Sequence, residues 1–307
     1  MPKFQVLKTQ LINAPIDKVY ENVSDLNHWT SWSPWLICEP EATTKVADNN
    51  KSYSWEGKRV GSGEMKITEA EVNQSVNYDL TFLKPWKSEA KVRFEVEEKD
   101  GGTEVRWYMD SKLPFFMFWM KKMMVAFLGM DFQRGLNLLK DYTELGEIQS
   151  ELEFVGERSY PGCQYIAIKT DTTMARVGTD MEADFTKLWE AIGGQKDLVA
   201  GEPFSIYHKF DMVKEQVSYT CGVPVSSYPD SLPSGVFTDN MEPMKIYTLR
   251  HIGPYIHLGN AWTTMQMMMR NKEFRAVKGI HPFETYANAP GEVDEKELIT
   301  DINFAVK

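Results

Sequence analysis

Hydrophobic and polar residues change period along this chain, and each change marks an element. Residues 3–12 alternate, with Phe4, Val6, Leu7, Leu11 and Ile12 as apolar positions, and predict a strand. Asn13-Ala14-Pro15 stops it, and Asp17 to Val23 predicts a short helix with an acidic first turn. Between 52 and 110 come short alternating runs: Tyr53 to Trp55, Gly63 to Ile67, Ser75 to Phe82, Ala90 to Val96 and Thr103 to Met109. Turn signals such as Lys99-Asp100-Gly101-Gly102 separate them, so an antiparallel meander is expected. After Pro114 the period lengthens, and Phe132, Leu136, Leu139 and Tyr142 share one face of a helix running to about Leu145. A sheet curled around one terminal helix encloses a cavity, because a single helix cannot fill the concave face.

The second half repeats itself. Pro203-Phe204-Ser205-Ile206-Tyr207 is echoed by Pro282-Phe283-Glu284-Thr285-Tyr286, and the flanking order matches. An extended run with glycine (160–169; 247–255) precedes a helix, which precedes the Pro-Phe-x-x-Tyr segment. The first helix presents Met181, Phe185, Leu188, Trp189 and Ile192 on one face, the second Trp262, Met265, Met268 and Met269. A pair of strands closes each copy: His208 to Phe210 and Val217 to Val225, then an extended piece after Tyr286 and Leu298 to Val306. Two copies of strand-helix-strand-strand pair readily about a pseudo-twofold axis, with helices on one side of a joint sheet and a cleft between the halves. The expected class is α+β.

Two resemblances sharpen this reading. Asn13-Ala14-Pro15 with Val19-Tyr20, Asp25-Leu26, the run from Trp29 to Trp35 with Pro34, and Gly135 to Lys140 before Glu144 resemble the START-like, polyketide-cyclase-like (SRPBCC) superfamily. That resemblance covers residues 1–148 and implies a helix-grip fold around a pocket for an apolar molecule. Ile252-Gly253-Pro254-Tyr255, Ala261-Trp262 and Phe283-Glu284-Thr285-Tyr286 resemble the gyrase-inhibitor-like family, the effector-binding domain of some AraC-type and multidrug-sensing regulators. It covers residues 152–307.

The chain's 307 residues suit two domains of about 100–200 residues each. Hydrophobic residues at 42% and charged residues at 25% are a globular composition. With 34 basic and 44 acidic residues, the net charge of −10 disfavours a broad cationic surface for nucleic acid. Residues 1–150 also show no helix-turn-helix pair, so no direct nucleic-acid contact is expected. Cys38, Cys163 and Cys221 are too scattered for a disulfide framework or zinc site, and the start of the chain lacks a signal-peptide pattern. A cytoplasmic protein is expected. The apolar stretch from Leu113 to Met130 is broken by Lys121 and Lys122, so no transmembrane segment is expected and the stretch reads as a buried or cavity-lining helix.

Chemistry concentrates at Glu284. On a strand, Glu284 and Tyr286 share a face while Phe283 points to the other. A carboxylate in an aromatic-walled site can pair with a cation whose flat body stacks on tyrosine or tryptophan. It can also act as general base toward water. Its other reading is a solvated strand residue, and Ser205 at the equivalent position shows that the repeat does not require an acid there. The resemblance implies ligand contact by this glutamate, and some relatives hydrolyse strained cyclopropane-containing compounds. Tyr255, Trp262, Tyr286 and Tyr207 are the candidate ligand-binding walls beside Glu284; Glu284 and Tyr286 are the catalytic candidates if the chain is an enzyme.

Other features read as structural. The methionines from Met265 to Met269 suit core filling, although methionine also suits an adaptable pocket. His251, His257 and His281 lack ligand spacing, so no metal and no cofactor is expected. No Gly-x-Ser-x-Gly elbow is present, and Gly61-Ser62-Gly63 reads as a hairpin turn. Trp29, Trp32 and Trp35 read as loop packing rather than a pocket lid, while Trp55, Trp86 and Trp107 are candidates to face the cavity. The preferred expectation is binding or sensing of a small hydrophobic, amphipathic or cationic molecule. Hydrolysis at Glu284 is the enzyme alternative. A partner-protein regulator docking through residues 115–128 is the third.

Overall fold

A computed structural model describes residues 3–307, apart from the side chain of Lys196. Backbone contacts divide the chain into two compact units. The first is the chain up to Glu151 with Ile256–Asn271; the second is Leu152–Tyr255 with Lys272–Lys307.

In the first unit, β1 (Lys3–Ile12) buries Phe4, Val6 and Ile12 on one face, as its alternation requires. Helices α1 (Ile16–Ser24) and α2 (Leu26–Trp32) follow, and Asp25 caps α2 by accepting from the Asn27 amide at 2.8 Å. The meander is β2 (Thr43–Val46), β3 (Ser52–Glu56), β4 (Ser62–Glu71), β5 (Ser75–Lys84), β6 (Ser88–Lys99) and β7 (Gly102–Lys112). Among the described residues it forms a seven-stranded antiparallel sheet, ordered β1-β7-β6-β5-β4-β3-β2. A 3-10 turn (Phe115–Met120) then leads into α3 (Lys121–Leu145), which ends at left-handed Gly146, φ 86°. The apolar stretch from Leu113 is therefore not one buried helix, because Phe115, Phe116, Phe118 and Trp119 of the turn are exposed.

Aromatic packing fixes α3 against the sheet. Trp107 of β7 stacks on Phe132 of α3 with centroids 4.1 Å apart. Trp29, Trp32 and Trp35 surround the same indole edge-on at 5.7, 5.9 and 6.0 Å. Such aromatic pairs contribute about 0.5–1.5 kcal/mol each beyond area burial. Gly135 permits the close approach, since a Cβ there would lie 2.6 Å from the Trp107 ring. The tryptophan run from 29 to 35 is therefore packing, as expected, and Trp107 lies in the core. Trp55 is half-buried against Tyr53 and Phe82. Trp86 departs from the expectation: it sits beyond the end of β5, in the turn before β6, and is 63% exposed.

The second sheet contains β8 (Glu151–Tyr160), β9 (Cys163–Thr173), β10 (Phe204–Asp211), β11 (Gln216–Pro224), β12 (Phe237–Met241), β13 (Met244–Ile252), β14 (Phe283–Tyr286) and β15 (Ile299–Val306). Helix α4 (Val177–Ile192) follows β9, and α5 (Leu258–Arg270) follows β13. The strand order is β12-β9-β11-β10-β14-β15-β13-β8. The two repeats meet at β10 and β14, whose antiparallel register sets Ser205 opposite Glu284. Two symmetric backbone bonds mark the pseudo-twofold: Tyr207 N–H donates to the Pro282 carbonyl at 3.0 Å, and Tyr286 N–H to the Pro203 carbonyl at 2.9 Å.

The joint strands are the Pro-Phe-x-x-Tyr segments themselves. Strand β10 starts at Phe204 rather than His208, and β14 ends at Tyr286 rather than beginning after it. The segment past Tyr286 turns instead, with Pro290 and left-handed Gly291, φ 88°, breaking the extension. On the opposite flank Gly222 lets the Phe204 ring lie against β11, where a Cβ would come within 2.3 Å of it.

Helix α4 packs on β9 and β11. Helix α5 packs within the first compact unit. There Asn260 accepts from Arg134 of α3 at 2.8 Å and donates to Ser150 at 3.1 Å. Met265, Met267 and Met268 of α5 are buried, the core role expected for the methionine run.

Candidate functional site

Strand pairing positions the candidate residues. Ser205 and Tyr207 of β10 share a face with Glu284 and Tyr286 of β14, because each pair is two residues apart and Ser205 opposes Glu284. Cys221 and Tyr219 of β11 continue that face opposite Ser205 and Tyr207. A β-bulge between Tyr207 and Lys209 re-aims β10 directly after the tyrosine. Phe283 points to the other side, edge-on to Tyr160 at 5.2 Å. Both faces of β14 are thus covered.

Glu284 is 2% exposed, which removes the solvated reading. Its Oε2 accepts hydrogen bonds from Tyr286 Oη at 2.7 Å and Tyr207 Oη at 2.9 Å. Burial first, and then the Glu284 charge, push both phenols well above the ordinary tyrosine range, so both remain donors at neutral pH. Tyr255 is half-exposed and lies edge-on to Tyr286 at 5.9 Å, while Phe185 of α4 meets Tyr286 from another side at 5.7 Å. Burial and the Glu284 charge push the Tyr255 phenol up to about 12.

Tyr207, Tyr255, Glu284 and Tyr286 are therefore brought together in the second unit. Trp262 is half-buried on α5, whose residues belong to the first unit. His251 is buried on β13, His257 bonds Asp141 at 2.6 Å, and exposed His281 lies edge-on to His208. Among the described residues, no group of three or more histidines, cysteines or acids could hold a metal. The three cysteines are free thiols.

Comparison with known proteins matches both halves. Residues 3–144 match the family described as polyketide cyclase / dehydrase and lipid transport. Residues 159–307 match the GyrI-like small molecule binding domain. The chain joins a domain of each family. No curated protein matches it. Among solved structures, it is similar to the EcmrR–DNA complex seen by cryo-electron microscopy, at 14% identity over 61% of this chain and 68% of that one, TM-score 0.43. The EcmrR C-terminal domain gives 16% over 52% and 98%, TM-score 0.41. The Aha1 dimer from Colwellia psychrerythraea gives 18% over 47% and 98%, TM-score 0.36.

Among the acids of the GyrI-like domain that the sequence reading missed, Asp184 lies nearest this face in its bonding. Asp184 of α4 accepts from Tyr219 Oη at 2.8 Å and Thr170 Oγ1 at 2.7 Å. Cys221, two residues from Tyr219 on the same face, is buried, and burial pushes its thiol up, with the Asp184 and Glu284 charges adding to the shift. Two carboxylates, each bonded by tyrosine hydroxyl, thus act on one buried thiol. The available signal was periodicity: Asp184 stands three residues after Met181 and four before Leu188, on the apolar stripe of its helix. An acid on an apolar stripe needs a partner in the core.

Proposed function

We propose that the GyrI-like domain binds a small amphipathic organic cation, its charge at Glu284 and its flat body against Tyr286, Tyr255 and Tyr207. The observation that carries this reading is a nearly fully buried carboxylate whose oxygen receives two phenol hydrogen bonds. Neutral phenols stabilise a buried carboxylate without cancelling its charge, so a cation arriving there gains pairing energy. It reaches Oε2 by displacing a tyrosine hydroxyl, and ring faces add about 0.5–2 kcal/mol of cation–π attraction. Asp184 supports the same polarity on that face of the sheet. The chain's charge of −10 favours a cationic ligand in this reading and disfavours direct contact with nucleic acid.

Fluorescence quenching by a planar cationic dye tests the reading. Wild type is expected to give saturable quenching, and Glu284→Gln to weaken it by roughly tenfold or more, the loss of one charge-assisted contact. Equal affinity in the two proteins sinks the proposal. Turnover of strained cyclopropane or ester substrates that disappears in Glu284→Gln would assign the carboxylate to general-base chemistry instead.

A further inference from the structure

One rim of the first unit collects exposed aromatic residues that its core does not use. Phe115, Phe116, Phe118 and Trp119 lie in the turn between β7 and α3, at 77%, 75%, 60% and 68% exposure. Leu83 and Trp86, at 51% and 63%, flank the turn between β5 and β6. Strand register brings these two segments to the same end of the sheet: Phe82 pairs with Ser88 across β5 and β6, and Ala90 pairs with Ser111 across β6 and β7. The turn after Phe82 and the chain leaving β7 therefore emerge side by side. Large exposed apolar side chains concentrated at one rim are unusual for a soluble surface and mark an interaction site.

The charge at this rim is opposite to that of the chain. Residues 83–89 and 111–122 hold Lys84, Lys87, Lys112, Lys121 and Lys122 against the single acid Glu89, whereas the whole chain is −10. All five lysines are exposed. Lys84 also pairs with Glu56 at 2.7 Å. Aromatic side chains flanked by lysines match the boundary of an anionic bilayer, where rings enter the headgroup region and ammonium groups meet lipid phosphates. Among the described residues no helix is long and apolar enough to cross a membrane, so the fit is to its surface.

We propose that this rim docks the protein on anionic membrane surfaces, through Phe115, Phe116, Phe118, Trp119 and Trp86 with the surrounding lysines. The inference is independent of the Glu284 site, which lies in the other unit. Each lysine near such a surface contributes about fivefold to binding, and the effect is screened within a Debye length.

Flotation of the full chain with vesicles tests it. Wild type is expected to float with vesicles of equal parts phosphatidylcholine and phosphatidylglycerol, to blue-shift its tryptophan emission there, and to release in molar salt. Phe115→Ser/Phe116→Ser/Trp119→Ser and Lys121→Glu/Lys122→Glu are each expected to lose roughly tenfold or more of this binding. These side chains are exposed, so both variants keep the wild-type unfolding midpoint. Failure of wild type to float, or equal flotation of the triple-serine variant, overturns the proposal. Equal binding to pure phosphatidylcholine overturns the anionic preference. A wild-type dimer that the triple-serine variant converts to monomer assigns the rim to a second copy of the chain instead.

Discussion

Replacing Tyr286 by phenylalanine separates what holds the GyrI-like site together from what the site is for. The change deletes the 2.7 Å bond to Glu284 Oε2 and keeps the ring that meets Phe185 and Tyr255. A hydrogen bond to a charged group contributes about 1.5–3 kcal/mol. The lower end applies, because Tyr207 still donates to the same oxygen at 2.9 Å. Tyr207→Phe is expected to cost a similar amount. The double variant strips both phenols from a buried carboxylate, and its cost rises towards the ~3–5 kcal/mol of a buried charge that has lost its partners. The sum of the single effects should therefore fall short of the double effect. Urea unfolding followed by circular dichroism measures this as shifts in midpoint, with Tyr255→Phe as a control within about 0.5 kcal/mol of wild type. The cation competes with the phenols for Oε2, so Tyr286→Phe should bind cations more tightly while being less stable. Additive stability losses, or a Tyr286→Phe protein weaker in both respects, would refute the reasoning.

Two further outcomes follow from the same structure. Tyr207 and Tyr286 have folded-state values raised above that of the unfolded chain, so their contribution is fully present below the ordinary tyrosine value of about 10 and is lost as pH rises beyond it. Alkaline unfolding of wild type should steepen above that pH and lose this component in the double phenylalanine variant; identical alkaline curves would contradict it. In the helix-grip half, Gly135→Ala forces a methyl to within 2.6 Å of the Trp107 ring and 3.0 Å of Pro34. Overpacking of about 1–3 kcal/mol exceeds the ~1 kcal/mol gained in helix propensity, so the variant should melt below wild type, and an unchanged or raised midpoint would refute the packing account.

The strands and helices were legible because their apolar periods are strong. The joint between the repeats was legible because Pro-Phe-x-x-Tyr occurs twice. Strand parity alone put Glu284 and Tyr286 on one face. Register was not legible: nothing local states that Ser205 opposes Glu284, or that Tyr207 and Tyr286 converge on one carboxylate oxygen. Periodicity places Asp184 on the apolar stripe of α4, but its partner on β11, Tyr219, is a tertiary contact with no local signal. Trp86 was misplaced because a turn residue has no strand parity to read. The α5 helix reads as an ordinary Met-rich core helix, and the polar contact of Asn260 with buried Arg134 is a tertiary fact without a local signal.

The central claim is that Glu284 reads charge. Calorimetric titration of wild type and Glu284→Gln with a planar organic cation and a neutral molecule of the same shape tests it most directly. The account predicts that wild type prefers the cation by roughly tenfold or more and that Glu284→Gln binds the two alike. An undiminished preference for the cation in Glu284→Gln would contradict it.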